Sequence, residues 1–188
     1  MQAQEIERYL AELGAALENQ GITKPVRMLL IGGAYMMLLA NAPRTTDDVD
    51  IFWMEEGEDF QRARQALRDG VQAIANKYTL PPNWFNYLTQ LLIYDKIIMP
   101  RGKLWKRYGP LQVYAPSKEF VLALKILAGR DQDLADCRVL LPQTRIRTRK
   151  QAQRVLDRYI LPEAQQQEAE TIASSLDVLF GSEREREP

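Results

Sequence analysis

Asp48 and Asp50, two aspartates spaced by one residue, carry the first chemical signal in this chain. They stand in the run Arg44-Thr45-Thr46-Asp47-Asp48-Val49-Asp50-Ile51-Phe52. If residues 48–53 form a strand, side chains alternate across it, so both carboxylates share one face while Val49 and Ile51 point into a core. Their Cα atoms then lie about 6–7 Å apart, and the two side chains can converge on one cation. Upstream, Gly32-Gly33 follows an aliphatic run and precedes an apolar stretch opening at Ala34. Paired glycines at a helix start let backbone amides approach an anion closely. An anion site beside a cation site suggests nucleotide chemistry. Few carboxylates, completed by waters and triphosphate oxygens, suit magnesium. The bland alternatives are acids at a strand end facing solvent and a tight strand-to-helix turn with no ligand.

A second group lies further along. Lys125 interrupts a stretch from 120 to 128 that is otherwise apolar. Either its stem is buried while the ammonium reaches water, or the helix flanks a site and the ammonium meets phosphate or a carboxylate. Asp133 follows eight residues later, with Arg130 three residues before it as an available ion-pair partner. On one straight helix Lys125 and Asp133 would stand about 80° apart and about 12 Å along the axis. Both reach one place only if Gly129 bends the path. Asp136 reads as structural.

Composition removes several chemistries. The chain has 188 residues and no histidine, so imidazole bases, Ser-His and Cys-His dyads and histidine metal ligands are absent. Cys137 is the single cysteine, which rules out an internal disulfide and a cysteine-rich zinc site. Charge balances at 25 basic and 25 acidic residues, so any nucleic-acid contact must come from a local patch. Residues 1–5 lack the features of a secretory signal, and no apolar run reaches the ~18 residues of a membrane span. The expectation is a soluble cytoplasmic protein with no membrane partner.

The elements that would position these residues follow from periodicity. Residues 5–18 repeat apolar positions at helical spacing and stop at Gly21 and Pro25. Residues 26–31 read as a buried strand and 34–40 as a buried helix. A helix from a polar start at 55–59 to about 78, with Phe60, Ala63, Ala66, Leu67, Val71 and Ile74 as its apolar face, comes next. Residues 83–99 are ambiguous, with 91–99 preferring strand, and 111–115 alternate as another strand. Ser117 caps a helix that Gly129 ends, 131–141 form the next, and 149–159 and 163–180 form two more. The whole predicts an α/β (α+β) domain with four or five strands. A core over 1–115 would be followed by a helical C-terminal part of the same domain over 116–181 and a disordered tail over 182–188.

Gly32-Gly33 followed by Arg44-x-Thr46-x-Asp48-Val49-Asp50 resembles the signature of the polymerase-beta-like nucleotidyltransferase superfamily. It is most similar to small bacterial nucleotidyltransferase-like proteins related to toxins of abortive-infection toxin–antitoxin systems. A second stretch, with Leu124-Lys125-x-x-Ala128-Gly129-Arg130-Asp131-x-Asp133-Leu134-x-Asp136, is similar to a Lys-then-Arg-x-x-Asp-x-x-Asp pattern in those proteins. The resemblance implies a nucleotidyltransferase fold, with a small mixed sheet flanked by helices. It implies Mg2+ on Asp48 and Asp50, triphosphate at Gly32 and Gly33, and Arg44 and Thr46 near the active site. For the last two, pairing with phosphate or fixing the loop is implied, and a purely structural loop role is the alternative. Lys125 would neutralise triphosphate charge, and Asp133 would activate the acceptor or add a metal contact.

The resemblance further implies transfer of a nucleoside monophosphate from a nucleoside triphosphate to an acceptor hydroxyl, tRNA or another RNA among the acceptors, and a cognate antitoxin as partner. Two departures stand out. Much of the superfamily has a serine where this chain has Gly33, and usually a third strand carboxylate, for which Asp95 is the only strand-like substitute. A catalytically silent nucleotidyltransferase-like binding domain is therefore the alternative. An RNA-binding adapter is another, using Lys96, Arg101, Lys103, Lys106 and Arg107 around Trp105 and Tyr108. A second basic run holds Arg145, Arg147, Arg149, Lys150, Arg154 and Arg158.

Overall fold

The computed structural model describes residues 1–54 and 58–181, without the side chains of residues 58–60. The expected polar start at 55–57, the apolar role of Phe60 and the tail at 182–188 lie outside the described residues. The chain divides into two compact units. The first holds Met1–Leu91 and Gly102–Pro116, and the second holds Leu92–Arg101 and everything from Ser117 onward.

In the first unit, helix α1 (Ala3–Asn19) is held by its amphipathic face: Ile6, Tyr9, Leu10, Leu13 and Leu17 are buried. Burying each large apolar side chain contributes about 1.5–3 kcal/mol, far more than the local propensity of any helical residue. Strand β1 (Val26–Leu30) leads into α2 (Gly32–Leu39), then β2 (Val49–Trp53), α3 (Glu58–Tyr78), the two-residue β3 (Phe85–Asn86) and α4 (Leu88–Ile93). The hairpin β4 (Lys103–Tyr108) and β5 (Leu111–Ala115) completes it. The five-stranded mixed sheet has the order β3-β2-β1-β5-β4. β1 runs antiparallel to β2 and parallel to β5, with Leu29 level with both Phe52 and Tyr114. Helices flank this sheet, so a mixed α/β architecture stands.

The second unit is helical. It contains α5 (Lys118–Ala128), α6 (Asp131–Leu140), α7 (Arg149–Tyr159), α8 (Pro162–Gln167) and α9 (Ala169–Phe180). Ser117 Oγ accepts from the Phe120 amide at 3.2 Å, the expected N-cap. Gly129 closes α5 in the left-handed region, with φ 62°, and its amide donates to the Lys125 carbonyl. The run expected as one helix over 163–180 is two, parted at Glu168.

Two expectations for the middle of the chain need correction. Residues 91–99 do not form a strand: 88–93 are helical, 94–96 form a 3-10 turn, and only Ile97 makes a bridge, to Ile160. A strand needs a neighbour's backbone along its length, and here the pairing is confined to one bridge, closed by the Ile98 amide on the Tyr159 carbonyl and the Leu161 amide on the Lys96 carbonyl. Asp95 therefore sits in a 3-10 turn and not on a strand. Conversely, Lys103–Tyr108, read only as a basic patch, is the edge strand β4, paired with β5 through a register shift between Leu104 and Lys106.

Candidate active site

The first unit gathers the glycine pair and the acidic pair at one corner. Where β1 ends, the Ile31 amide donates to the Asp50 carbonyl at 3.0 Å, so the start of α2 is locked beside the start of β2. Val49 and Ile51 are fully buried and Asp50 is half-buried, as alternation requires. Asp48 lies one residue before β2 and is positioned by the loop instead. Buried Thr46 donates its hydroxyl to the Asp48 carbonyl at 3.1 Å, and its Oγ1 stands 3.4 Å from Asp48 Oδ1.

Both glycines are required by what approaches them. Gly32 has φ 66°, in the left-handed region, and a Cβ there would overlap the Asp50 carboxylate and lie 2.9 Å from its Cβ. At Gly33 a Cβ would overlap the Thr46 hydroxyl, lie 2.9 Å from its Cβ and 3.3 Å from a terminal nitrogen of Arg44. A serine at position 33 would thus collide with Thr46. The same geometry means that protein oxygens already stand over the corner where phosphate was expected. Arg44 also donates Nε to the Thr45 carbonyl at 3.2 Å. Beside it opens a surface depression of about 420 Å³, with Arg44 and Thr45 facing the apolar Met37, Ala42 and Pro43.

Asn86 and Thr89 are the site residues that sequence reasoning missed. Asn86 Nδ2 donates to Asp50 Oδ1 at 2.8 Å, and Thr89 Oγ1 donates to the same oxygen at 3.0 Å. Their only sequence signal is local: Asn86 Oδ1 accepts from the Leu88 amide at 3.0 Å, an Asx turn ahead of a helix. It was masked by the strand-like composition that follows.

The donor set can be tested against a divalent cation. Two carboxylates, a threonine hydroxyl and nearby backbone are hard oxygen donors of the kind Mg2+ takes when waters and substrate oxygens complete its shell, so the residues fit. No group of three or more Cys, Asp or Glu side chains placed to hold a metal occurs among the described residues. β5 supplies no third carboxylate; its Gln112 accepts from the Tyr114 hydroxyl at 3.3 Å.

Lys125 and Asp133 belong to the second unit, where they are joined to one another. Gly129 turns the chain as the spacing demanded, and Lys125 Nζ reaches Asp133 Oδ1 at 2.7 Å and Asp136 Oδ2 at 2.9 Å. Arg130 Nε adds a bond to Asp133 Oδ2 at 2.6 Å, the ion pair weighed as the alternative for this residue. The three central side chains are buried, Lys125 at 8%, Asp133 at 2% and Asp136 at 1% exposure. Burial pushes the Asp133 carboxyl upward, but the bonds from Arg130 and Lys125 outweigh it and hold the group below the usual carboxylate range. The neighbouring Cys137 thiol is pushed up to about 12 by burial, which keeps it protonated and inert.

The basic runs are partly committed. Lys106 pairs with Glu7, and Lys96 pairs with Glu168 at 2.8 Å. Arg149 pairs with Asp177, and one terminal nitrogen of Arg147 donates to the carbonyls of Leu141, Thr144 and Ile146. Among the described residues no helix is long and apolar enough to cross a membrane. No protein-family model and no curated protein matches this chain.

Proposed function

We propose that this protein is a magnesium-dependent nucleotidyltransferase that moves a nucleoside monophosphate from a nucleoside triphosphate to an acceptor hydroxyl. A bond forms between the acceptor oxygen and the α-phosphorus, the bond to the β,γ-phosphates breaks, and pyrophosphate leaves with the hydroxyl proton passed to solvent or a carboxylate. What supports the reading is one observation: Asp50 and Thr46 meet on successive glycines at the start of α2, and Thr46 also bonds Asp48. A bound Mg2+ would neutralise phosphate charge and polarise the reacting oxygens. Asp48 and Asp50 would hold it, the α2 amides and Arg44 would face the phosphates, and Thr46 would keep the loop in register. Asp133, the expected activator of the acceptor, is held by two cations, so the proposal rests on the first unit's residues alone. tRNA as acceptor and an antitoxin as partner are finer parts of the same proposal.

A catalytically silent nucleotidyltransferase-like binding domain is the second reading. It is favoured by the absence of an acid on β5 and by the oxygens that stand over the glycine corner. Thermal melting with Mg2+ and each nucleoside triphosphate separates the two. A ligand at a hundred times its Kd stabilises the fold by about 2.7 kcal/mol. A rise in melting temperature that needs Mg2+ and disappears in Asp48→Ala/Asp50→Ala is the outcome expected of a working site. No shift with any nucleotide would leave the silent domain.

A further inference from the structure

We propose that the depression beside Arg44 is the nucleoside subsite of the candidate active site, taking the base and sugar of the nucleoside triphosphate. The inference rests on the reading that the start of α2 takes the triphosphate. Gly33 and Met37 stand one turn apart on one face of α2, about 6 Å along its axis. Gly33 belongs to the glycine corner, and Met37 lines the depression. Arg44 joins the two places: a terminal nitrogen would lie 3.3 Å from a Cβ at Gly33, and the same residue lines the depression. A ligand whose phosphates sit at the first turn of α2 therefore carries its uncharged end to Met37 when it runs along the helix.

The lining suits such an end. A nucleobase is a flat, uncharged ring with apolar faces and hydrogen-bonding edges. Met37 and Ala42, each 8% exposed, form an apolar wall with Pro43, and the unbranched methionine side chain adapts to a flat surface. Exposed Gln2 and Thr45 add an amide and a hydroxyl, which match base edges or sugar hydroxyls. Among the described residues none of the lining carries a negative charge. Small-molecule sites combine apolar walls with a few polar groups in roughly 300–1,000 Å³, and the depression holds about 420 Å³. Its far side is the start of α1, which is held to the site loop where the Thr46 amide donates to the Met1 carbonyl at 3.3 Å.

Calorimetric titration of the full chain in Mg2+ with each common nucleoside triphosphate and with inorganic tripolyphosphate tests this. Tripolyphosphate carries the charged part alone, so the difference in affinity reads the nucleoside. The wild type should bind at least one nucleoside triphosphate roughly 10-fold or more tighter than tripolyphosphate, because apolar burial adds to the phosphate contacts. Ala3→Phe and Thr45→Trp, which fill the depression from two different segments, should abolish that preference and leave tripolyphosphate binding as in the wild type. Gln4→Phe, which adds a ring at an exposed position of α1 outside the lining, should keep the preference. Wild-type preference in both filled variants overturns this inference and leaves the proposed function standing. So does a wild type that binds every nucleoside triphosphate no tighter than tripolyphosphate. Filled variants that lose tripolyphosphate as well also overturn it, since the change would then have disturbed the glycine corner. A wild type that binds neither tripolyphosphate nor any nucleoside triphosphate overturns the proposed function and this inference with it.

Discussion

Replacing Lys125 with methionine removes the ammonium that two buried carboxylates share. In the folded protein the cluster holds two cations and two anions: Lys125 serves Asp133 at 2.7 Å and Asp136 at 2.9 Å, and Arg130 serves Asp133 at 2.6 Å. After Lys125→Met, Asp133 keeps Arg130, whose side chain is 77% exposed and so partly screened by water. Asp136, at 1% exposure, loses its ammonium. Breaking a buried pair from one side costs about 3–5 kcal/mol, because the remaining charge stays desolvated. Methionine fills most of the lysine stem's volume, so little of that cost comes from a cavity.

The readout must be specific to the second unit. Trp53, Trp84 and Trp105 all lie in the first, so tryptophan fluorescence follows the wrong half. Hydrogen exchange of the α5 and α6 amides is the appropriate assay, and their opening free energy should fall by about 3–5 kcal/mol. Lys125→Met/Asp136→Asn should recover a large part, since removing the second buried charge removes its desolvation cost. A drop below about 1 kcal/mol would refute the cluster's structural role.

Two further outcomes are expected. Gly14 of α1 lies against the end of β4, where a Cβ would come within 2.7 Å of Tyr108 Cβ and 2.8 Å of its carbonyl carbon. Gly14→Ala gains up to about 1 kcal/mol of helix propensity but meets rigid backbone, and overpacking of about 1–3 kcal/mol should win. The melting temperature should fall by several degrees, and a rise would show that α1 shifts freely. Asp133, with its folded pKa depressed, contributes stability that is complete above the ordinary carboxylate value of about 3.9 and lost as pH falls through the folded value. Protection of α5 and α6 should hold from pH 7 to about 5 and decline below about 4, and Asp133→Asn should flatten that decline.

Local rules read a good part of this chain. The alternation that buries Val49 and Ile51 and leaves Asp50 half-exposed, the Ser117 cap and the left-handed stop at Gly129 each depend on a few adjacent residues. Sequence also required that Lys125 and Asp133 could meet only through a bend at Gly129, because helix geometry sets their separation. The tertiary structure decided the rest. Residues 91–99 read as strand by composition, yet 88–93 are helical and 94–96 a 3-10 turn, because strand formation depends on a partner backbone and this segment finds only the single bridge at Ile97. Position 33 takes no side chain because Thr46, brought back by the loop, fills the space that one would need. Asn86 and Thr89 reach Asp50 across more than thirty residues of chain. Such contacts follow from which surfaces pack together, and a periodicity that extends over a few residues holds no record of them.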